Sequence, residues 1–304
     1  MKHISVLKDE AISLLGVKDD GVYIDGTLGR GGHSLEIVKR LKDGHLYSFD
    51  LDSSAINESS INLKDYQHKC TLIHDNYANM FKYVDQVDGI LLDLGVSSPQ
   101  FDDGGRGFSY RYDARLDMRM DKGAKLDAYE LVNNADVDEL TRIFRDYGEE
   151  KFAYKIAKEI EKNRLINPIE TTFELVEIIK KAKPAKILKT KGHPAKQVFQ
   201  ALRIAVNHEL ESLEVFLENF DQHLKPNGRV VIITFHSLED RLVKRKFKEL
   251  SVVIDDKRLM LKAYEIPKPN YELINRKPII ANDEENIENP RAKSAKLRGI
   301  MKNM

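Results

Sequence analysis

Cysteine is almost missing from this chain. Cys70 stands alone among 304 residues, so no intrachain disulfide can form and a cysteine-rich metal centre is excluded. No apolar run is long enough to span a bilayer, and the first ten residues hold no apolar signal core. A reducing cytoplasm is the expected setting, with no membrane partner. Net charge is absent too, with 49 basic against 49 acidic residues. The balance is local, however: residues 151–203 hold 13 Lys/Arg and 5 Asp/Glu. A segregated basic stretch suits a polyanionic partner, and a lysine-rich solvated helix face is the plainer alternative. There is no internal repeat and no low-complexity tract.

What is present is an ordinary globular composition, 32% charged and 41% apolar, in a chain long enough for two lobes. The first hundred residues alternate short apolar runs with helical patterns. V-Y-I-D at 22–25, H-L-Y-S-F-D at 45–50, residues 71–74 and residues 89–94 read as strands. Helices are expected at 34–41 and 53–63, the second capped by Ser53. This alternation predicts an α/β fold with a parallel sheet, whose ligands sit at the carboxyl ends of the strands. Asp25, Asp50, Asp75 and Asp93 stand at those ends. From about 127 to 183 the pattern turns helical, with Thr171 or Thr172 as a cap. A basic connector follows to Pro194, and then one long helix toward His223. The strand pattern returns at 229–235, so the reading is a helical lobe inserted at 111–204 into an α/β domain formed by 1–110 and 205–304.

Residues 24–34, I-D-G-T-L-G-R-G-G-H-S, place four glycines in seven positions behind the first strand. A triphosphate loop requires G-K-S or G-K-T, and here His33 follows Gly32. A dinucleotide fingerprint requires a third glycine where Ser34 stands, and Asp25 would repel a pyrophosphate. S-adenosylmethionine has no phosphate and carries an ammonium that Asp25 could attract. The glycines allow close backbone approach to its carboxylate. Asp50 could accept both ribose hydroxyls, and Tyr77 offers a face to adenine. After the fourth strand comes D-L-G-V-S-S-P-Q, a tight turn of the kind that holds an exocyclic amine in line with a methyl donor. It loosely resembles the Ser/Asp-Pro-Pro-aromatic turn of amino-directed DNA methyltransferases, with Gln100 in place of the second proline.

Eight blocks in order make a longer resemblance. They are D-G-T-L-G-R-G-G-H-S, D-L-G-V-S-S-P-Q, G-R-G-F-S, L-D-M-R-M-D, Y-G-E-E, H-P-A-K-Q-V-F-Q-A-L-R-I-A-V-N, F-H-S-L-E-D-R and N-P-R-A-K-S-A-K-L-R. Together, from about Ile4 to Arg298, they are similar to the bacterial 16S ribosomal RNA cytosine-N4 methyltransferase family. The resemblance implies a Rossmann-like class I S-adenosylmethionine-dependent methyltransferase with an inserted helical domain. It implies action on the N4 amine of a cytosine in the decoding region of 16S RNA, within the small subunit. By position it puts the cofactor on Gly31, Gly32 and His33, with Asp50, Tyr77, Asp93 and Gln100 completing the pocket. Arg115 stands where relatives often carry proline, and Lys196 and Gln197 where Thr and Arg are common.

On the acceptor side the candidates are Asp93, Ser98, Pro99 and His236. Ser237 and Asp240 are expected to form a capping box that leaves His236 free for substrate. His33 reads as a backbone-positioning residue. Residues 115–121 read as either a lid hinge or an RNA-facing loop. Direct methyl transfer to nitrogen needs no covalent adduct, and Cys70 is assigned no chemistry. A flipped cytosine could be gripped through flanking phosphates by the basic insert. An NAD-dependent oxidoreductase and a non-catalytic RNA-binding module are the rival classes, and a homodimer is left open.

Overall fold

The computed structural model describes residues 5–97, 100–101, 103–190, 192–252 and 269–304. The chain divides into two compact units, residues 1–95 with 210–304, and residues 96–209.

The first unit is built on seven strands: β1 (Val22–Asp25), β2 (His45–Asp50), β3 (Cys70–His74), β4 (Val87–Asp93), β5 (Leu224–Thr234), β6 (Tyr271–Leu273) and β7 (Lys296–Lys302). Their order is β3-β2-β1-β4-β5-β7-β6. The first five run parallel, and β7 lies antiparallel between β5 and β6. Beside them run α1 (Lys8–Leu15), α2 (Gly32–Val38) and α3 (Ser53–Asn62). Strand residues alternate between two cores, as a doubly covered sheet requires. Tyr23, Leu46, Leu91, Val231 and Ile233 pack with Ile12 and Leu15 of α1 and with Ile37 of α2. Ile24, Phe49, Ile90, Leu92 and Ile232 face the other way, toward Phe216, Phe220 and Phe247. Each such side chain, fully buried, contributes about 1.5–3 kcal/mol. The strand order reverses at β1, which pairs with β2 on one side and β4 on the other. That reversal opens a crevice at the carboxyl ends of β1, β2 and β4.

In the second unit come α4 (Ala128–Asn134), α5 (Val137–Asp146), α6 (Ala153–Arg164), α7 (Thr172–Ala182), α8 (Ala185–Leu188) and α9 (Lys196–Asn207). The first unit resumes along α10 (Glu209–His223) and adds α11 (Ser237–Leu250) and α12 (Asp283–Glu288). Among the described residues no helix is long and apolar enough to cross a membrane.

Several details differ from the sequence expectation. The helical unit starts near Val96 instead of 111, because Phe108, Leu116 and Met118 pack into its core beside Leu131, Phe144 and Leu202. It runs on to Glu209 because Asn207 holds the backbone of Met118 and Met120. The single helix expected from Pro194 to His223 is broken at His208, which caps α9 with φ 51°. Asp52, not Ser53, caps α3, accepting from the Ser54 amide. Thr171 caps α7 as expected, in a capping box with Glu174.

Candidate methyl-donor site

The glycine loop at the switch point is tied down from four sides. The Gly26 amide donates to Leu91 O of β4, and the Leu28 amide to Phe49 O of β2. Asp50 at the end of β2 accepts from the Gly29 amide at 2.8 Å and from the Asp52 amide at 2.8 Å. Ser59 of α3 donates to Gly29 O at 2.8 Å. Gly31 has φ 75°, a conformation that favours glycine, and opens α2. A Cβ on Gly32 would collide with Ser5 Oγ, so the chain passes there only without a side chain.

Asp25 does not serve as the open ammonium partner that the sequence suggested. It is completely buried, and its carboxylate is already held within the protein. Ser34 Oγ donates to it at 2.6 Å and the Thr27 amide at 3.1 Å. Ser34 is linked in turn to Ser48 Oγ at 2.9 Å. Burial pushes the Asp25 carboxyl above the usual range, with no cation beside it among the described residues. Its work is to fix the entrance of α2, and Ser34, where a dinucleotide loop would have glycine, is the group that lets it do so.

Asp50 remains available. Each of its oxygens accepts one amide hydrogen, which leaves lone pairs for two further donors. Burial lifts its pKa to about 6, with Asp52 and Asp25 adding to the rise. Asp93 ends β4, and its amide donates to Thr27 Oγ1 at 2.6 Å. Its Oδ1 is shut off from solvent and has no hydrogen-bond partner among the described residues. Burial and the charges of Asp25 and Glu239 raise its carboxyl well above the ordinary carboxylate range. An orphaned buried oxygen of this kind asks for a donor.

His33 lies in the first turn of α2 and is buried. Its Nε2 is 3.2 Å from Val6 O, and a carbonyl can only accept, so Nε2 carries the proton. Nδ1 then faces Asp93 Oδ2 at 3.7 Å. Tyr77 opens the short turn after β3, its ring edge-on to Phe216 at 6.3 Å between centroids. Asp75, another strand-end acid, is taken up locally by the Asn76 amide, the Asn79 side chain and the Tyr83 hydroxyl.

His236 was expected to be left over for substrate once Ser237 and Asp240 had formed a capping box. The box is in fact His236 with Glu239. His236 Nδ1 accepts from the Glu239 amide, while Glu239 accepts from the amides of Phe235 and His236. Asp240 instead holds Arg298 at 2.7 Å and Lys296 at 2.9 Å. Gln100 belongs to the helical unit, where its Oε1 accepts from the Ser97 amide at 3.0 Å. Ser98 and Pro99 lie outside the described residues. Residues 115–121 act as an internal brace. Leu116 and Met118 are fully buried, Arg115 pairs with Asp127 and covers Tyr129, and Arg119 grips Asp117.

Sequence reasoning missed Thr27, Ser48 and Ser59 as supports of the loop. Thr27 lies inside the quoted glycine motif, so its hydroxyl was a readable signal. Ser48 and Ser59 come from other elements and gave none.

A Rossmann-like sheet with a glycine loop at its switch point and buried acids ending the second and fourth strands suits an S-adenosylmethionine-dependent methyltransferase. The profile of the MraW methylase family matches residues 1–303. A relative from Streptococcus dysgalactiae subsp. equisimilis, ribosomal RNA small subunit methyltransferase H, is 50% identical, covering 97% of this chain and 96% of its own. The chain therefore belongs to the MraW methylase family. Among solved structures, an rRNA methylase from Streptococcus thermophilus aligns over 100% of this chain and 99% of its own, at 12% identity and a TM-score of 0.42. A SAM-dependent O-methyltransferase from Thermotoga maritima aligns over 100% of this chain and 69% of its own, at 11% identity and a TM-score of 0.41.

Proposed function

We propose that the protein methylates the N4 amine of a cytosine in the decoding region of 16S ribosomal RNA, using S-adenosylmethionine. The observation that carries the substrate is the 50% identity, over nearly the whole of both chains, to a small-subunit ribosomal RNA methyltransferase. The choice of nitrogen over carbon rests on the chain's own chemistry. Carbon-5 methylation needs a thiolate, and the single cysteine is buried in β3 with its thiol pushed up to about 11.

The cofactor supplies a methyl group activated on a sulfonium sulfur. The residues present fit it. In this reading Asp50 accepts the ribose hydroxyls on its free lone pairs, and the backbone at Gly31, Gly32 and His33 closes around the amino-acid end. Tyr77 lies along adenine. Asp93 takes an N–H of the target amine on its unpartnered Oδ1, aiming the nitrogen lone pair. Orientation of this kind is worth several kcal/mol of barrier. His236 keeps its capping role and reaches the base only through the backbone that it fixes. The helical unit, residues 96–209, is the proposed RNA-recognition part.

The test is transfer of labelled methyl groups to small ribosomal subunits from cells that lack the enzyme. Label in 16S RNA is the expected result. Label only in protein, or none, would overturn the reading.

A further inference from the structure

Residues 178–208 contain seven lysines and one arginine and not one acid. Some of that charge is satisfied internally. Lys183 is buried and paired with Glu150 at 2.5 Å, Lys180 meets Glu177 at 2.7 Å, and Arg203 meets Glu209 at 2.8 Å. The Lys183 ammonium also donates to Pro194 O at 2.7 Å, which pins the connector at its far end.

The pinned end carries His193. Its ring lies flat on Tyr110, with centroids 4.1 Å apart and planes inclined by 2°. Tyr110 is held in turn by the edge of Phe199 at 5.7 Å. The Ala195 amide donates to His193 Nδ1 at 3.3 Å, so the neutral ring bears its proton on Nε2. That N–H has no acceptor among the described residues. Burial holds the ring's pKa below the ordinary histidine value, and the positive charges of Lys180, Arg111 and Lys183 lower it further. Arg111 is exposed and makes no ion pair among the described residues. A rigid aromatic platform, a free N–H donor and a surrounding cationic field with no acid in the connector together lack one thing, an anion.

We propose that His193, Arg111 and Lys180 form a phosphodiester-binding site for a single strand of RNA, with the Tyr110–His193 stack as its floor. In it a non-bridging phosphate oxygen accepts from His193 Nε2–H, and Arg111 supplies a forked pair of donors. Lys180 contributes as a point charge once it swings from Glu177. The site deepens the ribosomal RNA reading and rests on it. It assigns to the helical unit the backbone grip that positions a strand without reading its sequence.

The test uses the full chain and a fluorescein-labelled ten-nucleotide oligocytidylate, with binding followed by anisotropy across a salt series. Arg111→Glu combined with Lys180→Glu should weaken binding at least tenfold. It should also flatten the salt dependence, by about 0.7 in log–log slope per lost phosphate contact. His193→Gln, which keeps an N–H donor, should retain more affinity than His193→Ala. Lys155→Glu, an equal charge change at an exposed position of α6, should alter binding less than twofold. S-adenosylmethionine affinity should stay unchanged in every variant, which also reports that each one folds. Equal losses from Lys155→Glu and Arg111→Glu, or no loss from the double variant, would overturn the site. Absence of methyl transfer by the unsubstituted protein would instead overturn the ribosomal RNA reading, whatever these affinities are.

Discussion

The glycine loop at 25–34 and the lysine-rich connector at 178–208 are both anchored by buried carboxylates, yet the two are partnered in opposite ways. In the loop, among the described residues, Asp25 and Asp50 receive neutral donors, two backbone amides at Asp50 and a hydroxyl with an amide at Asp25. In the connector, Glu150 faces an ammonium directly. A buried acid without a cation keeps unused accepting capacity and a raised pKa, so the loop suits a ligand rich in donors or positive charge. A segment with no acid of its own, whose anchoring Glu150 is already neutralised by Lys183, suits a polyanion. On the proposals made above, the same side-chain types suit one unit to a sulfonium nucleoside and the other to a phosphate backbone.

The largest expected break in this contrast is Asp50→Ala. Hydrogen bonds to a charged acceptor contribute about 1.5–3 kcal/mol each, and two are lost. Calorimetry should find S-adenosylmethionine affinity reduced at least a hundredfold, with oligonucleotide binding within twofold of the parent. Affinity kept within a few-fold would end the ribose assignment. On the connector side, Lys183→Met strands a buried Glu150 and should destabilise the protein by about 3–5 kcal/mol. Chemical denaturation measures this, and adding Glu150→Leu should restore most of the loss. If the double variant is no better than the single one, the pair is not what anchors the connector.

A smaller effect is expected from Ser34→Ala, which removes one of the two donors holding Asp25. Leaving that carboxyl underpartnered should cost about 1–3 kcal/mol of stability, and an unchanged midpoint would mean that the Ser48–Ser34–Asp25 chain does not support the loop. The mildest test is pH. The folded-state pKa of Asp50, about 6, lies above its ordinary 3.8. Folding therefore takes up a proton between those values, and ionised Asp50 reduces stability as pH rises from about 4 to 6. Cofactor affinity runs the other way, because the ionised carboxylate is the better acceptor. Affinity should fall as pH drops below about 6, and Asp50→Asn should remove that dependence.

Much of the first unit was legible because its strands are short apolar runs that end on an aspartate, and the turn from Asp50 into α3 is local. Asp50 could be singled out as a strand-end acid for the same reason. What could not be read was burial. Nothing in I-D-G-T-L-G says that Asp25 is sealed behind Ser34, since that depends on Ser48 arriving from β2. The break at His208 escaped because no glycine or proline marks it, and a histidine takes the left-handed turn. The shift of the capping box by one residue has a similar origin: histidine is an unusual cap, whereas Ser237 beside it is a common one. In residues 115–121 the alternating charges left a lid hinge and an RNA-facing loop both open, whereas Asp127 and Asp117 take up Arg115 and Arg119 within the fold.

The central claim, direct methyl transfer to an exocyclic nitrogen without a cysteine adduct, is tested most directly by identifying the product nucleoside. Small-subunit RNA methylated by the purified protein is digested to nucleosides and resolved by mass spectrometry against N4-methylcytidine and 5-methylcytidine. The account predicts new N4-methylcytidine, formed equally well by Cys70→Ala. New 5-methylcytidine, or activity lost with Cys70, would contradict it.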